Sequence, residues 1–154
     1  MSAVQPWLAH YDSDVRQHLT YPDKTLVDYL ADLARDHGAK PALLFKGATL
    51  SYGELESHSN AFAASLTALG VRPGDRVAIV LPNCPQFFVA EFGAWKAGAI
   101  VVPLNPIYTE RELEAALTST GATVVVTLTP FYTRIKSIQA RTQVREVIAT
   151  SIKE

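Results

Sequence analysis

Trp95-Lys-Ala-Gly-Ala-Ile-Val-Val-Pro-Leu-Asn-Pro-Ile-Tyr-Thr-Glu-Arg-Glu-Leu113 is the stretch whose reading decides the fold. It begins at the end of an apolar helical pattern and stops at Gly98. Three β-branched apolar residues follow (100–102), then a loop stiffened by Pro103 and Pro106. Thr109 and Glu112 then stand at capping-box spacing ahead of Leu113, Ala116 and Leu117. A helix that ends, a strand apolar at every position and a new helix that begins at once predict a strand between helical crossovers. That is the pattern of a parallel sheet.

The same cadence extends outward from this stretch. Gly38, Gly70, Gly98 and Gly121 each close a segment of helical periodicity, where glycine suits the left-handed backbone just past a helix. Apolar runs of strand length follow at 41–45, 76–81, 99–103 and 123–128, with another at 146–150, and the last four begin about 23 residues apart. That spacing is one strand–helix unit, so the expected fold is α/β, a mainly parallel sheet with helices on both faces. Lys46-Gly47 between two short apolar runs predicts a small N-terminal hairpin.

The expected helix starts are Thr25, with Asp28 in the first turn; Ser51 with Glu54; Asn83, with Pro85 in the first turn; Thr109 with Glu112; and Thr129-Pro130. The helix over 84–97 is apolar nearly all round and should be packed on more than one side, with Gly93, Ala94, Ala97 and Gly98 admitting a close neighbour. Residues 1–24 lack periodicity and read as an extended arm, leaving 25–154 as the α/β unit.

Composition removes several classes of function. The 154 residues are 48% hydrophobic and 19% charged with a net charge of −1, ordinary for a globular domain and unsuited to nucleic acid. Cys84 is the only cysteine, which excludes a disulfide framework or a zinc cluster and makes a reducing, cytoplasmic compartment the expectation. A peripheral position at a membrane surface stays open. The first ten residues lack the basic and apolar regions of a signal peptide, and polar residues and prolines interrupt the apolar stretch at 77–104, so no transmembrane segment is expected.

Four segments, in order and spacing, resemble the adenylate-forming (AMP-dependent synthetase and ligase) family, which includes the acyl-CoA synthetases. They are Leu50-Ser-Tyr-Gly-Glu-Leu55, Gly70-Val-Arg-Pro-Gly-Asp-Arg-Val-Ala-Ile79, Leu81-Pro-Asn-Cys-Pro-Gln-Phe87 and Trp95 to Leu113. Trp7-Leu-Ala-His-Tyr11 resembles the arm that precedes the domain in the family's long-chain fatty acid members. The resemblance implies activation of a fatty acid carboxylate by ATP with Mg2+ to acyl-AMP, then transfer to coenzyme A. It also implies that the Ser/Thr/Gly-rich phosphate loop, the ribose-binding aspartate, the acyl pocket and the catalytic lysine belong to parts beyond Glu154. The chain is therefore expected to be an N-terminal fragment without catalytic residues, inactive alone and not binding ATP tightly. Its partners would be the missing C-terminal portion and, through exposed apolar faces, a second copy as a homodimer. Two alternatives are a stand-alone interaction module and a small doubly wound nucleotide-binding module. The latter is disfavoured by the glycine-free Leu-Pro-Asn-Cys-Pro after Val80.

Candidate residues divide accordingly. Pro103–Tyr108 leaves the carboxyl end of a parallel strand, where open α/β sheets bind ligands. In the resembling family the corresponding region lies near the coenzyme A channel, so Asn105, Pro106 and Tyr108 are candidates for lining it. The competing reading is a rigid crossover. Cys84 is expected to be buried structure and not a nucleophile. The four histidines lack ligand spacing. Asp12, Asp14, Glu110, Glu112 and Glu114 are expected to be solvated or engaged in capping. Lys96 is expected to reach solvent past its apolar stem. Thr118-Ser-Thr-Gly121 is expected to be a helix end and not a phosphate loop.

Overall fold

A computed structural model describes residues 5–152; residues 1–4 of the expected arm lie outside the described residues. Six strands and five α-helices follow one another as α1 (Leu26–His37), β1 (Pro41–Phe45), β2 (Ala48–Ser51), α2 (Tyr52–Ala68), β3 (Arg76–Val80), α3 (Pro85–Lys96), β4 (Ile100–Pro103), α4 (Glu110–Thr120), β5 (Val124–Leu128), α5 (Tyr132–Gln139) and β6 (Glu146–Thr150). Strands β4-β3-β5-β6 form one wholly parallel sheet, and β1-β2 form a separate antiparallel hairpin. The α/β expectation is borne out. Lys46 and Gly47 turn the hairpin with φ of 48° and 82°, the doubly positive geometry of a tight two-residue turn.

Alternation along the strands splits the core into two layers. Val77, Ile79, Val124, Val126 and Leu128 pack beneath α2 and α3 through Leu66, Ala90 and Ala94. Ala78, Val80 and Val125 face Leu113 and Leu117 of α4 and Ile135 and Ile138 of α5. β3 and β5 are covered on both faces, as the unbroken apolar run 77–80 requires of β3. β4 corrects that reading, because it is an edge strand and Ile100 is 52% exposed. The amides of Ile100 and Leu104 donate inward to the carbonyls of Asp75 and Ile79 at 2.8 and 2.9 Å. Alternation therefore turns Pro103 outward, where its missing N–H breaks no ladder bond.

Three helices open with complete capping boxes, Thr25/Asp28, Ser51/Glu54 and Thr109/Glu112. Two expected starts move. The N-cap of α3 is Cys84, not Asn83, with Pro85 at the first helical position and no side-chain cap. Thr129–Phe131 is a short 3-10 turn before α5, and Thr129 Oγ1 donates instead to the Thr150 carbonyl at 3.1 Å. Gly38 also differs from the other helix-stopping glycines. Its φ is −51°, right-handed. Glycine is needed there for space: a Cβ would lie 2.5 Å from the Ala34 carbonyl oxygen. The Gly38 carbonyl also accepts from the Gly53 amide at 2.9 Å, joining the end of α1 to the start of α2.

The apolar circumference of α3 is only partly covered. The sheet takes Ala90 and Ala94, and α2 crosses at Gly93, where a Cβ would stand 2.7 Å from the Phe62 ring. Phe87, Phe88, Phe92 and Trp95 remain half-buried, in edge-to-face pairs at 5.7 and 5.3 Å. Among the described residues no helix is long and apolar enough to cross a membrane.

Candidate functional site

The strand order fixes where a ligand can meet the sheet. From β3 the chain returns to β4 by α3 over one face, and from β5 it proceeds to β6 by α5 over the other. The carboxyl ends of β3 and β5 are therefore the switch point, the place where open α/β sheets open a crevice. Residues 81–85 and Thr129–Phe131 flank it. Pro82, Pro85 and Pro130 bring no amide hydrogen to it. Cys84 is 1% exposed and belongs to the core, as expected. The crevice is poor in the donors that a phosphate requires.

One strand away, Pro103–Tyr108 leaves β4 as a loop held at several points. The Leu104 amide holds its start on Ile79. Asn105 Oδ1 accepts from the Ile107 amide at 3.1 Å, and the Asn105 carbonyl accepts from the Tyr108 amide at 3.1 Å, so Asn105 closes an Asx turn. Arg134 of α5 donates from Nη1 to the carbonyls of Pro106 (3.2 Å) and Tyr108 (2.7 Å), with its guanidinium 5.0 Å from the Phe131 ring centroid. Tyr108 packs against the layer beneath α4 and α5. The Thr109/Glu112 box holds the far end. Of the three sequence candidates, Asn105 is exposed, whereas Pro106 and Tyr108 are half-buried. The residue the loop presents outward is Ile107, 79% exposed, which sequence reasoning passed over together with Arg134. No periodicity signals either: Arg134 meets the loop across 26 to 28 residues of sequence.

Lys96 overturns its expectation. Its side chain is only 9% exposed, and Nζ is turned onto α2. Nζ donates to Glu56 Oε2 at 2.7 Å, Ser59 Oγ at 2.8 Å and Asn60 Oδ1 at 2.8 Å, all on α2. The close α2–α3 crossing at Gly93 brings these acceptors within reach, so the lysine stays inside.

The remaining candidates are quiet. His10, His18, His37 and His58 are all exposed. Among the described residues no cluster of His, Cys, Asp and Glu could hold a metal ion. Glu112 is consumed by its cap, whose amide and hydroxyl hold its carboxyl below the usual range, and Glu114 pairs with Arg141 at 2.9 Å. Glu91, on α3, is pushed upward by desolvation. Gly121 closes α4 with φ of 65°, and its amide is spent on the Leu117 and Thr118 carbonyls. Thr120 Oγ1 donates to the Ala116 carbonyl at 2.8 Å, so Thr118–Gly121 is a helix end in which the Thr120 hydroxyl and the Gly121 amide are committed. The described residues do not fit a nucleotide triphosphate or its magnesium. A separate open groove of about 500 Å3 lies between α2, α3 and β6, lined chiefly by Phe62, Val89, Val126 and Ile148.

The described residues form a doubly wound half-sheet with a loop on its edge strand, a fold shared with solved CoA ligases. Residues 30–154 match the AMP-binding enzyme family, and the chain belongs to it. A long-chain-fatty-acid–CoA ligase of Bacillus subtilis is 37% identical over 154 residues, covering 100% of this chain and 28% of that protein. One from Yersinia pestis is 40% identical over 147 residues, covering 94% and 26%. The crystal structure of a long-chain-fatty-acid-CoA ligase from Archaeoglobus fulgidus, 26% identical, matches with a TM-score of 0.78 over 88% of this chain and 30% of that one. An anthranilate CoA ligase in complex with anthranoyl-AMP, 25% identical, gives 0.77 over 80% and 24%. The chain thus spans 26–28% of the length of these curated relatives.

Proposed function

We propose that this chain is the N-terminal portion of an ATP-dependent, AMP-forming acyl-CoA ligase acting on fatty acids. In that reaction a carboxylate oxygen attacks the α-phosphorus of ATP and pyrophosphate leaves. The thiol of coenzyme A then attacks the acyl carbonyl and AMP leaves. The carrying observation is the 37% identity over the whole chain to the Bacillus subtilis long-chain ligase. The chain's own share is structural. Residues 1–24 form an arm and 25–154 an incomplete subdomain that holds the Asn105, Pro106 and Tyr108 loop at the coenzyme A channel. The setting is cytoplasmic, with ATP, Mg2+ and coenzyme A engaged by the complete enzyme. The open groove beside β6 favours a second reading, a module that associates as a homodimer, which light scattering on dilution would reveal.

Two proteins test the first reading. The 154-residue chain alone should show no fatty-acid-dependent exchange of pyrophosphate into ATP. A chimera in which it replaces the matched segment of the Bacillus subtilis ligase should show that exchange and form acyl-CoA. Exchange by the chain alone would refute the scaffold role, and a folded but silent chimera would refute the ligase assignment.

A further inference from the structure

We propose that two copies of this chain pair edge to edge through β6, antiparallel about a two-fold axis at Ile148, joining their sheets into one. The proposal deepens the homodimer reading, on which it rests, by naming the surface and the register. β6 ends the sheet, so no strand among the described residues meets its far side. The Glu146 amide donates to the Thr123 carbonyl at 3.3 Å, and alternation along the strand turns the amides and carbonyls of Val147 and Ala149 away from β5. Neither face of β6 is fully covered. Val147 packs only in part against the layer of α4 and α5, and Ile148 only in part against that of α2 and α3, where it lines the open groove. An edge with outward ladder groups, apolar residues on both faces and no proline or lysine within it is a template for a further strand.

That strand is a second β6, because β6 is complementary to itself. With Ile148 on the axis, Val147 of one copy stands opposite Ala149 of the other, and both turn their backbone groups outward. These residues exchange a pair of N–H···O bonds, and the axis repeats the pair. Glu146 falls opposite Thr150 of the second copy, so no like charges meet. A register centred on Val147 would set Ala149 against Arg145, whose amide is already spent on the Thr123 carbonyl at 2.8 Å. The two Ile148 side chains meet on the groove face and bring the two grooves together across the axis. Pairing of this kind uses one surface twice, so assembly closes at a dimer.

The test uses the 154-residue chain itself. Light scattering across a dilution series is measured for the wild type and Ala149→Pro, and covalent dimer after mild oxidation for Ile148→Cys and Glu146→Cys. Proline at 149 removes an outward amide hydrogen and spares the ladder to β5. It should raise the concentration at which the dimer parts by about tenfold, the scale of lost backbone bonds. Directly opposed residues of a non-hydrogen-bonded antiparallel pair have Cα atoms about 4.5 Å apart, within disulfide reach, so Ile148→Cys should cross-link. Glu146→Cys, further from the axis, should not, and Cys84, 1% exposed, stays out of the reaction. A wild-type dimer that Ala149→Pro leaves equally tight, or in which Ile148→Cys cross-links no better than Glu146→Cys, overturns the β6 pairing while the homodimer reading stands. A wild type that is monomeric throughout overturns both. Should Ala149→Pro not fold, the two cysteine variants decide.

Discussion

Lys96→Met probes the polar joint that locks α3 to α2. Methionine keeps an unbranched stem of similar length and removes the ammonium. Its three acceptors lose unequal amounts. Asn60 is exposed and Glu56 keeps 22% of its side-chain surface in solvent, so water replaces part of what they lose. Ser59 is fully buried, but its hydroxyl still donates to the Glu56 carbonyl at 3.0 Å and loses only the bond it accepts. An exposed pair contributes about 0–1 kcal/mol, and breaking a buried one costs about 3–5 kcal/mol. A joint of intermediate burial should cost about 2 kcal/mol, which lowers Tm by about 4–8 °C in a domain of this size. Glu56→Gln retains an acceptor and should cost about 1 kcal/mol. Urea unfolding of the wild type, both single variants and the double variant gives the coupling energy, expected near 1 kcal/mol and largely preserved in about 0.5 M salt because the pair is shielded. A coupling below about 0.3 kcal/mol, or one abolished by salt, would refute the buried joint and return Lys96 to the solvent.

Two further outcomes follow from the packing and the caps. Gly93→Ala gains about 1 kcal/mol in helix propensity but places a methyl 2.7 Å from the Phe62 ring and 3.0 Å from the Ser59 carbonyl oxygen, and overpacking costs about 1–3 kcal/mol. The variant should therefore be less stable in the same urea titration, and a gain in stability would contradict the close crossing. The carboxyls of Asp28, Glu54 and Glu112 are held below their ordinary values of 3.8, 4.5 and 4.5 by the cap-residue amides and then the cap hydroxyls. Folded values below unfolded ones mean that this stabilisation is complete above the ordinary values and drains away as pH falls through the depressed ones. Replacing all three by Asn, Gln and Gln should flatten the acid limb of a stability–pH curve below those values, and an unchanged limb would count against the caps.

Much of the architecture was legible in local chemistry. Capping pairs and glycine spacing mark where helices begin and end, and the unbroken apolar run 77–80 of β3 announces a sheet covered on both faces. What local chemistry misses is set by who stands next to whom. Ile100-Val101-Val102 is as apolar as a central strand, yet the order β4-β3-β5-β6 leaves it at an edge. Lys96 looks like a solvated helix-end lysine until α2 delivers three acceptors to it. The loop at 105–108 was visible from its two prolines, but its contact with Arg134 lies 26 residues on from Tyr108. The motifs identified the family, and only the packing assigned work to individual residues.

The outward-facing Pro103 makes the two borders of the sheet chemically unequal. A strand arriving beside β4 would find a missing hydrogen at the very position where the ladder should continue, so accretion on that flank is discouraged. β6 has no proline along its length. An additional strand therefore meets an obstacle beside β4 that it does not meet beside β6.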